Sequence, residues 1–122
     1  MKYKELINFE PITEVVKFSE THKVDYQKNL VKKETNKRIT NDVWVVNVAA
    51  VQRGSKYPNR YIIMSGDIDS RVSDPNNSTS DSPGANDNAS GMAGAMEAAR
   101  VLSKYTFESS IIYLGLSGEE QG

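Results

Sequence analysis

Cysteine is absent from the 122 residues, and histidine occurs once, as His22. The missing cysteine excludes disulfide frameworks, thiolate zinc sites and cysteine nucleophiles together, and leaves the redox compartment open. An excess of charge of either sign is also lacking: 15 Lys and Arg stand against 16 Asp and Glu, a net charge of -1. No net field therefore draws the chain toward nucleic acid or an anionic membrane. Long apolar runs are missing as well. None approaches the roughly 20 residues of a membrane span, and the N-terminal stretch to Phe18 has none of signal-peptide length. No internal repeat is present, and the length suits one small domain rather than two.

What the chain does contain sharpens from N- to C-terminus. Residues 1–41 form a Lys-, Glu-, Asn- and Thr-rich segment in which Ile12 to Phe18 and Asn29 to Val31 read as edge strands or a short helix. Lys32, Lys33 and Glu34, with Lys37 and Arg38, read as a solvated face or hairpin turn. Without interleaved aromatics they make no nucleic-acid patch. Residues 42–122 form the readable part of the domain. Val43 to Val51 is β-branched and nearly continuous, as in a strand covered on both faces. A turn over Arg53 to Asn59 leads to a second buried strand, Arg60 to Met64. A Ser-, Asp-, Asn- and Pro-rich loop, Arg71 to Ala85, follows; its Asn77-Ser78-Thr79 sequon reads as solvated loop. Ser90 to Lys104 has helical periodicity, with Met92, Met96, Ala99 and Leu102 on one stripe. Gly91 and Gly94 are expected to mark close packing of that helix on a sheet. Ser109 to Leu116 is a further buried strand. Strand, helix, strand makes a βαβ unit, so the fold class is α/β with parallel pairing across a right-handed crossover.

The acids fall at equivalent places in this order. Asp67 and Asp69 follow one strand, Glu119 and Glu120 follow another, and Asp87 precedes the helix between them. Groups just past the carboxyl ends of strands converge on the crevice where open α/β sheets bind ligands. Five carboxylates there need a positive partner. With no Lys, Arg or His within the motifs, a divalent metal is the economical choice. Taken singly each acid has a plainer reading: Asp87 as a helix N-cap, Glu119-Glu120 as solvated loop. Asp67-x-Asp69 fails as a calcium loop because Arg71 stands where an oxygen ligand belongs. His22, in a polar segment remote from these loops, reads as a surface residue. The joint placement carries the metal reading.

Three stretches, Asp67-Ile68-Asp69-Ser70, Pro83 to Gly91 (PGANDNASG) and Ser117 to Gly122 (SGEEQG), resemble successive motifs of the di-zinc aminopeptidases. These are the relatives of aminopeptidase Y and the secreted bacterial leucine aminopeptidases, peptidase family twenty-eight. The resemblance runs from about Asn47 to Gly122. It implies a three-layer α/β/α zinc-exopeptidase fold with a mixed, partly parallel sheet, incomplete here. It also implies two zinc ions, with Asp87 bridging them, Glu120 on one of them and Asp67 as a further ligand. Glu119 would be the general base, moving a proton from the attacking water to the leaving amine. Asp69 would orient the neighbouring ligand. The implied substrate is a peptide, with no nucleic-acid partner and no membrane insertion. The implied location is extracytoplasmic.

One departure is plain: Asp67 stands where the family usually has histidine. Aspartate ligates zinc too, at about 2.0–2.2 Å, with more charge and less reach. The family also draws a further acid and a histidine from sequence beyond the Glu-Glu motif. The chain is therefore expected to be the front part of a larger enzyme, inactive and weakly zinc-binding by itself, and prone to self-association through an exposed edge. A carboxypeptidase or glutaminyl cyclase of the same family stays open as an alternative. So do a non-catalytic relative, which Asp67 favours, and a purely structural cation site.

Overall fold

The structure, a computed structural model, describes residues 23–122. His22 and the apolar piece Ile12 to Phe18 lie outside the described residues. Four strands form one sheet: β1 (Lys23–Val31), β2 (Val43–Gln52), β3 (Tyr57–Asp67) and β4 (Ser109–Leu116). The α-helix among the described residues, α1 (Ser90–Leu102), connects β3 to β4. The strand order is β1-β2-β4-β3. β1 and β2 form an antiparallel hairpin, β2 runs antiparallel to β4, and β3 runs parallel to β4. The fold is thus α/β with a mixed sheet, and the βαβ unit lies where the sequence places it. The division at residues 41/42 falls inside the β1–β2 hairpin connection, where Lys32 pairs with Asp42 at 2.7 Å.

The core sits between α1 and β4. Strand alternation turns Ile111 and Tyr113 inward, where Ala50, Met64, Ala98, Ala99, Leu102 and Phe107 pack on them. Tyr113 donates its hydroxyl to Gln52 Oε1 at 3.0 Å. The buried Gln52 amide in turn donates to the carbonyls of Leu102 and Tyr105, at 3.0 and 2.8 Å. Both carbonyls lie where the chain leaves α1, and the Leu102 carbonyl also accepts the Tyr105 amide at 3.0 Å. One buried side chain thus ties the end of α1 to β2. At the same end of the sheet, beside the Gln52–Ile111 pairing, Ser110, fully buried, accepts from the Gly54 amide at 3.0 Å and donates to the Pro58 carbonyl at 2.8 Å.

Several expectations are corrected. The turn before β3 is shorter than 53–59, because β3 already begins at Tyr57 and pairs through an irregularity between Tyr57 and Tyr61. β2 and β3 are not covered on both faces: Trp44, Ile62 and Ile63 are 58%, 58% and 60% exposed. β3 is an edge strand, and the one described helix lies against β3 and β4, too narrow a cover for the whole sheet. The helix stops at Leu102 rather than Lys104, and its buried residue is Ala95, while Met96 is exposed. Close packing is also assigned differently. A Cβ on Gly94 would meet nothing within 4 Å, whereas one on Gly66 in β3 would lie 2.5 Å from the Met92 nitrogen. The glycine that lets helix and sheet touch belongs to the strand.

Two outcomes follow. Gly66→Ala lowers stability by roughly 1–3 kcal/mol through overpacking against helix backbone, while Gly94→Ala raises it by up to about 1 kcal/mol through helix propensity; urea unfolding of both variants checks the contrast. Burial raises the Tyr113 pKa. The unfolded chain therefore loses this proton first as pH climbs past about 10, and the stability tied to the protonated phenol, complete below that pH, drains away above it. Tyr113→Phe is expected to show a shallower alkaline loss of unfolding midpoint.

Candidate metal centre

The parallel pair β3 and β4 ends in register, with Asp67 opposite Leu116. Ile68 then donates its amide to the Leu116 carbonyl at 2.7 Å, which carries the pairing one residue into the loops. Both chains must turn there. After β4 the turn is made at Gly118, whose φ of 86° is a conformation that favours glycine. A short 3-10 turn, Glu119–Gln121, follows.

That turn is held from two sides. Asp69 faces it: Oδ1 accepts from the amides of Gly118 and Glu119 at 3.0 and 3.3 Å, and Oδ2 from Glu120 at 3.2 Å. Asn47 on β2 accepts from the Ser117 amide at 2.8 Å. From the β1–β2 connection, Asn36 donates to the Gln121 carbonyl at 2.9 Å and Arg38 to the Glu120 carbonyl at 3.1 Å. The turn's amides thus meet acceptors and its carbonyls meet donors. Asn36 and Arg38 belong to a segment whose sequence is uninformative, and no local pattern signals this contact.

Asp87 arrives by another route. Residues Ala85–Ala89 form a wide turn before α1 in which Asp87 and Asn88 leave helical dihedrals, and the Asp87–Asn88 peptide bond is cis. The N-cap reading of Asp87 fails, since the cap position of α1 is Ala89 and no side chain caps it. Asn88 folds against Gly91, where any Cβ would collide with its side-chain amide. Gly91 itself lies over Gly66. The helix start is therefore set close to the end of β3, and Asp87 is carried to the same edge as Glu120.

Asp87 and Glu120 line one cleft of about 420 Å³ together with Arg71, Val72, Ser73 and Pro83. Two acidic positions share the cleft, not five. Asp67 ends β3 without lining it, Asp69 is engaged by backbone amides, and Glu119 is exposed at the start of the turn. Among the described residues no group of three or more His, Cys, Asp or Glu side chains converges as a metal would require. The expectation that the acids lack a positive neighbour is corrected too. Arg71, two residues past Asp69, places Nε 2.8 Å from Glu120 Oε2. The contact is that of an ion pair without the alignment of a hydrogen bond. Its sequence position was legible; its partner, 49 residues away by numbering (120 less 71), was not.

Carboxylate oxygens are competent zinc ligands, and zinc sites need three or four protein donors. Asp87 and Glu120 fit such a site as part of its donor set. Both loops also carry a buried acceptor without a partner, Asn88 Oδ1 beside Asp87 and Gln121 Oε1 beside Glu120.

The two carboxylates stand at the carboxyl edge of a parallel strand pair, where open α/β sheets bind ligands. The sequence profile of peptidase family M28 matches residues 47–122, and the chain belongs to that family. A probable zinc metalloprotease of Leptosphaeria maculans is 53% identical over 85 residues, covering 70% of this chain and 20% of that protein. One of Pyrenophora teres f. teres is 54% identical over 85 residues, covering 70% and 18%. The chain thus spans about a fifth of the length of the curated relatives it matches. Among solved structures, the aminopeptidase from Aneurinibacillus sp. strain AM-1 superposes with a TM-score of 0.55 at 32% identity, over 67% of this chain and 19% of that one. The glutaminyl cyclase of Fimbriiglobus ruber shares the fold, with a TM-score of 0.66 at 18% identity over 90% and 37%.

Asp69→Ala strands three amides of the turn and is expected to cost roughly 1–3 kcal/mol. Hydrogen exchange reports it directly: the amides of Gly118, Glu119 and Glu120 lose protection in Asp69→Ala and keep part of it in Asp69→Asn, which retains one acceptor oxygen.

Proposed function

We propose that this chain forms part of the catalytic centre of a zinc-dependent exopeptidase, an aminopeptidase that releases N-terminal residues from peptides. The observation that carries the reading is the meeting of Asp87 and Glu120 in one cleft at the carboxyl edge of β3 and β4, in a chain of a zinc metallopeptidase family. Asp87 and Glu120 would hold the metal, with two ions in the complete site and Asp67 offering a further oxygen from the end of β3. Zinc, when bound, polarises a scissile carbonyl and makes water a competent nucleophile near neutral pH.

The chain's own residues have separable tasks. Glu119 is exposed and adjacent to Glu120, so its carboxylate is free to take a proton from the attacking water and return it to the leaving amine. Asp69 holds the turn that presents both glutamates. Val72 and Pro83 line the cleft beside the carboxylates. Action outside the cytoplasm accords with this reading through the family resemblance alone. A non-catalytic relative is the rival, favoured by Asp67 in place of histidine.

Elemental analysis and a peptidase assay test the reading on a polypeptide of the relatives' length that carries this chain. About two zinc ions per chain are expected, falling sharply in Asp87→Asn. Glu119→Gln is expected to keep its zinc and lose activity by about 10²–10⁴-fold. Absence of zinc from the unsubstituted protein would instead move the non-catalytic relative to the front. The 122 residues by themselves offer two donors at the cleft, so weak zinc binding and no turnover are expected of them.

A further inference from the structure

We infer that Arg71 is a positioning residue for the metal site, holding the Glu120 carboxylate by one oxygen so that the other is presented to a divalent cation; this rests on Glu120 being a metal ligand, as proposed above. Arg71 is itself fixed. Its Nη1 donates to the carbonyls of Val72 and Ser73, at 3.2 and 3.3 Å, which folds the guanidinium back over its own loop. From there Nε reaches Glu120 Oε2 at 2.8 Å. The pair is partly withdrawn from water, with side-chain exposures of 33% for Arg71 and 17% for Glu120. Both residues line the cleft that also contains Asp87.

The rest of Glu120 is already immobilised. Its amide is bound to Asp69 and its carbonyl to Arg38. The side-chain torsions are the remaining freedom, and the Arg71 contact restricts them. Engaging Oε2 leaves Oε1 as the oxygen for one-point ligation. A guanidinium suits this task because its charge is permanent and its planar fork can bond backbone and carboxylate together. A second effect opposes it, since a cation near a metal ion repels it. Bridging by the carboxylate sets the two charges apart, and groups that orient a ligating carboxylate characteristically change metal affinity by about 10–100-fold when removed. Orientation is therefore the effect assigned to Arg71.

The experiment compares zinc affinity, by competition with a chromophoric chelator, and the visible spectrum of the cobalt(II)-loaded form. It uses the same relatives-length polypeptide as wild type, Arg71→Met, Arg71→Lys and Glu120→Gln. Arg71→Met keeps the apolar stem, and thermal unfolding of each metal-free protein reports whether it folds. The expected result is a 10–100-fold loss of affinity in Arg71→Met with an altered cobalt spectrum, partial recovery in Arg71→Lys, and a larger loss in Glu120→Gln. Should Arg71→Met fail to fold, Arg71→Lys alone decides, through a changed spectrum and weaker binding or neither. Wild-type affinity in the Arg71 variants beside a weakened Glu120→Gln would overturn the inference and leave the zinc reading standing. Tighter binding in Arg71→Met would also overturn it, marking Arg71 as a competitor of the metal. No zinc binding by the wild type would remove both.

Discussion

One carboxylate holds the site together. Asp69 stands past the end of β3 and accepts the amides of Gly118, Glu119 and Glu120, past the end of β4. A turn that bends away from a sheet leaves backbone amides without strand partners, and buried amides without partners are costly. Charge-assisted bonds from one ionised group meet three of them at once. The direction of Glu119 and Glu120 is thereby fixed relative to β3, not merely relative to their own strand. An acid that sequence alone groups with the metal ligands is occupied by the protein's backbone.

The rest of the centre depends on how near α1 comes to the sheet. Gly66 lets the first turn of the helix lie on β3, and Gly91 lets the Asn88 side chain fold over that turn. Together they set the height at which Asp87 enters the cleft. Gln52 plays the matching part at the far end of the helix, where its amide donates to the carbonyls of Leu102 and Tyr105. The helix is anchored at both ends by residues with no chemistry of their own, and Asp87 inherits its position from it.

The sequence was most readable where periodicity and local rules act. The limits of β4 and the start of α1 follow from alternation and helical spacing, and the motif-bearing stretch from Asn47 coincides with the residues matched to the family. Exposure was less readable. Val43 to Val51 reads as a doubly covered strand because β-branched runs do, but cover comes from other elements, and α1 lies chiefly over β3 and β4. In the site, the positions of the acids were legible and their partners were not. That Asp69 meets amides, or Arg71 meets Glu120, depends on which loops the parallel register brings together. Asn36 and Arg38 carried no signal, since a polar hairpin connection reads as solvated until its neighbour is known.

Those two residues have a consequence for how the centre assembles. Asn36 and Arg38 bond carbonyls 85 and 82 positions further along the chain. Contacts of such span require closure of a long loop, whose entropic cost must be met before they add stability. The hairpin, the helix and the parallel pair can each begin from closer contacts, whereas the Glu-Glu turn receives its last carbonyl partners only when β2 has joined β4. The geometry of that turn is accordingly expected to be acquired after the sheet order is settled.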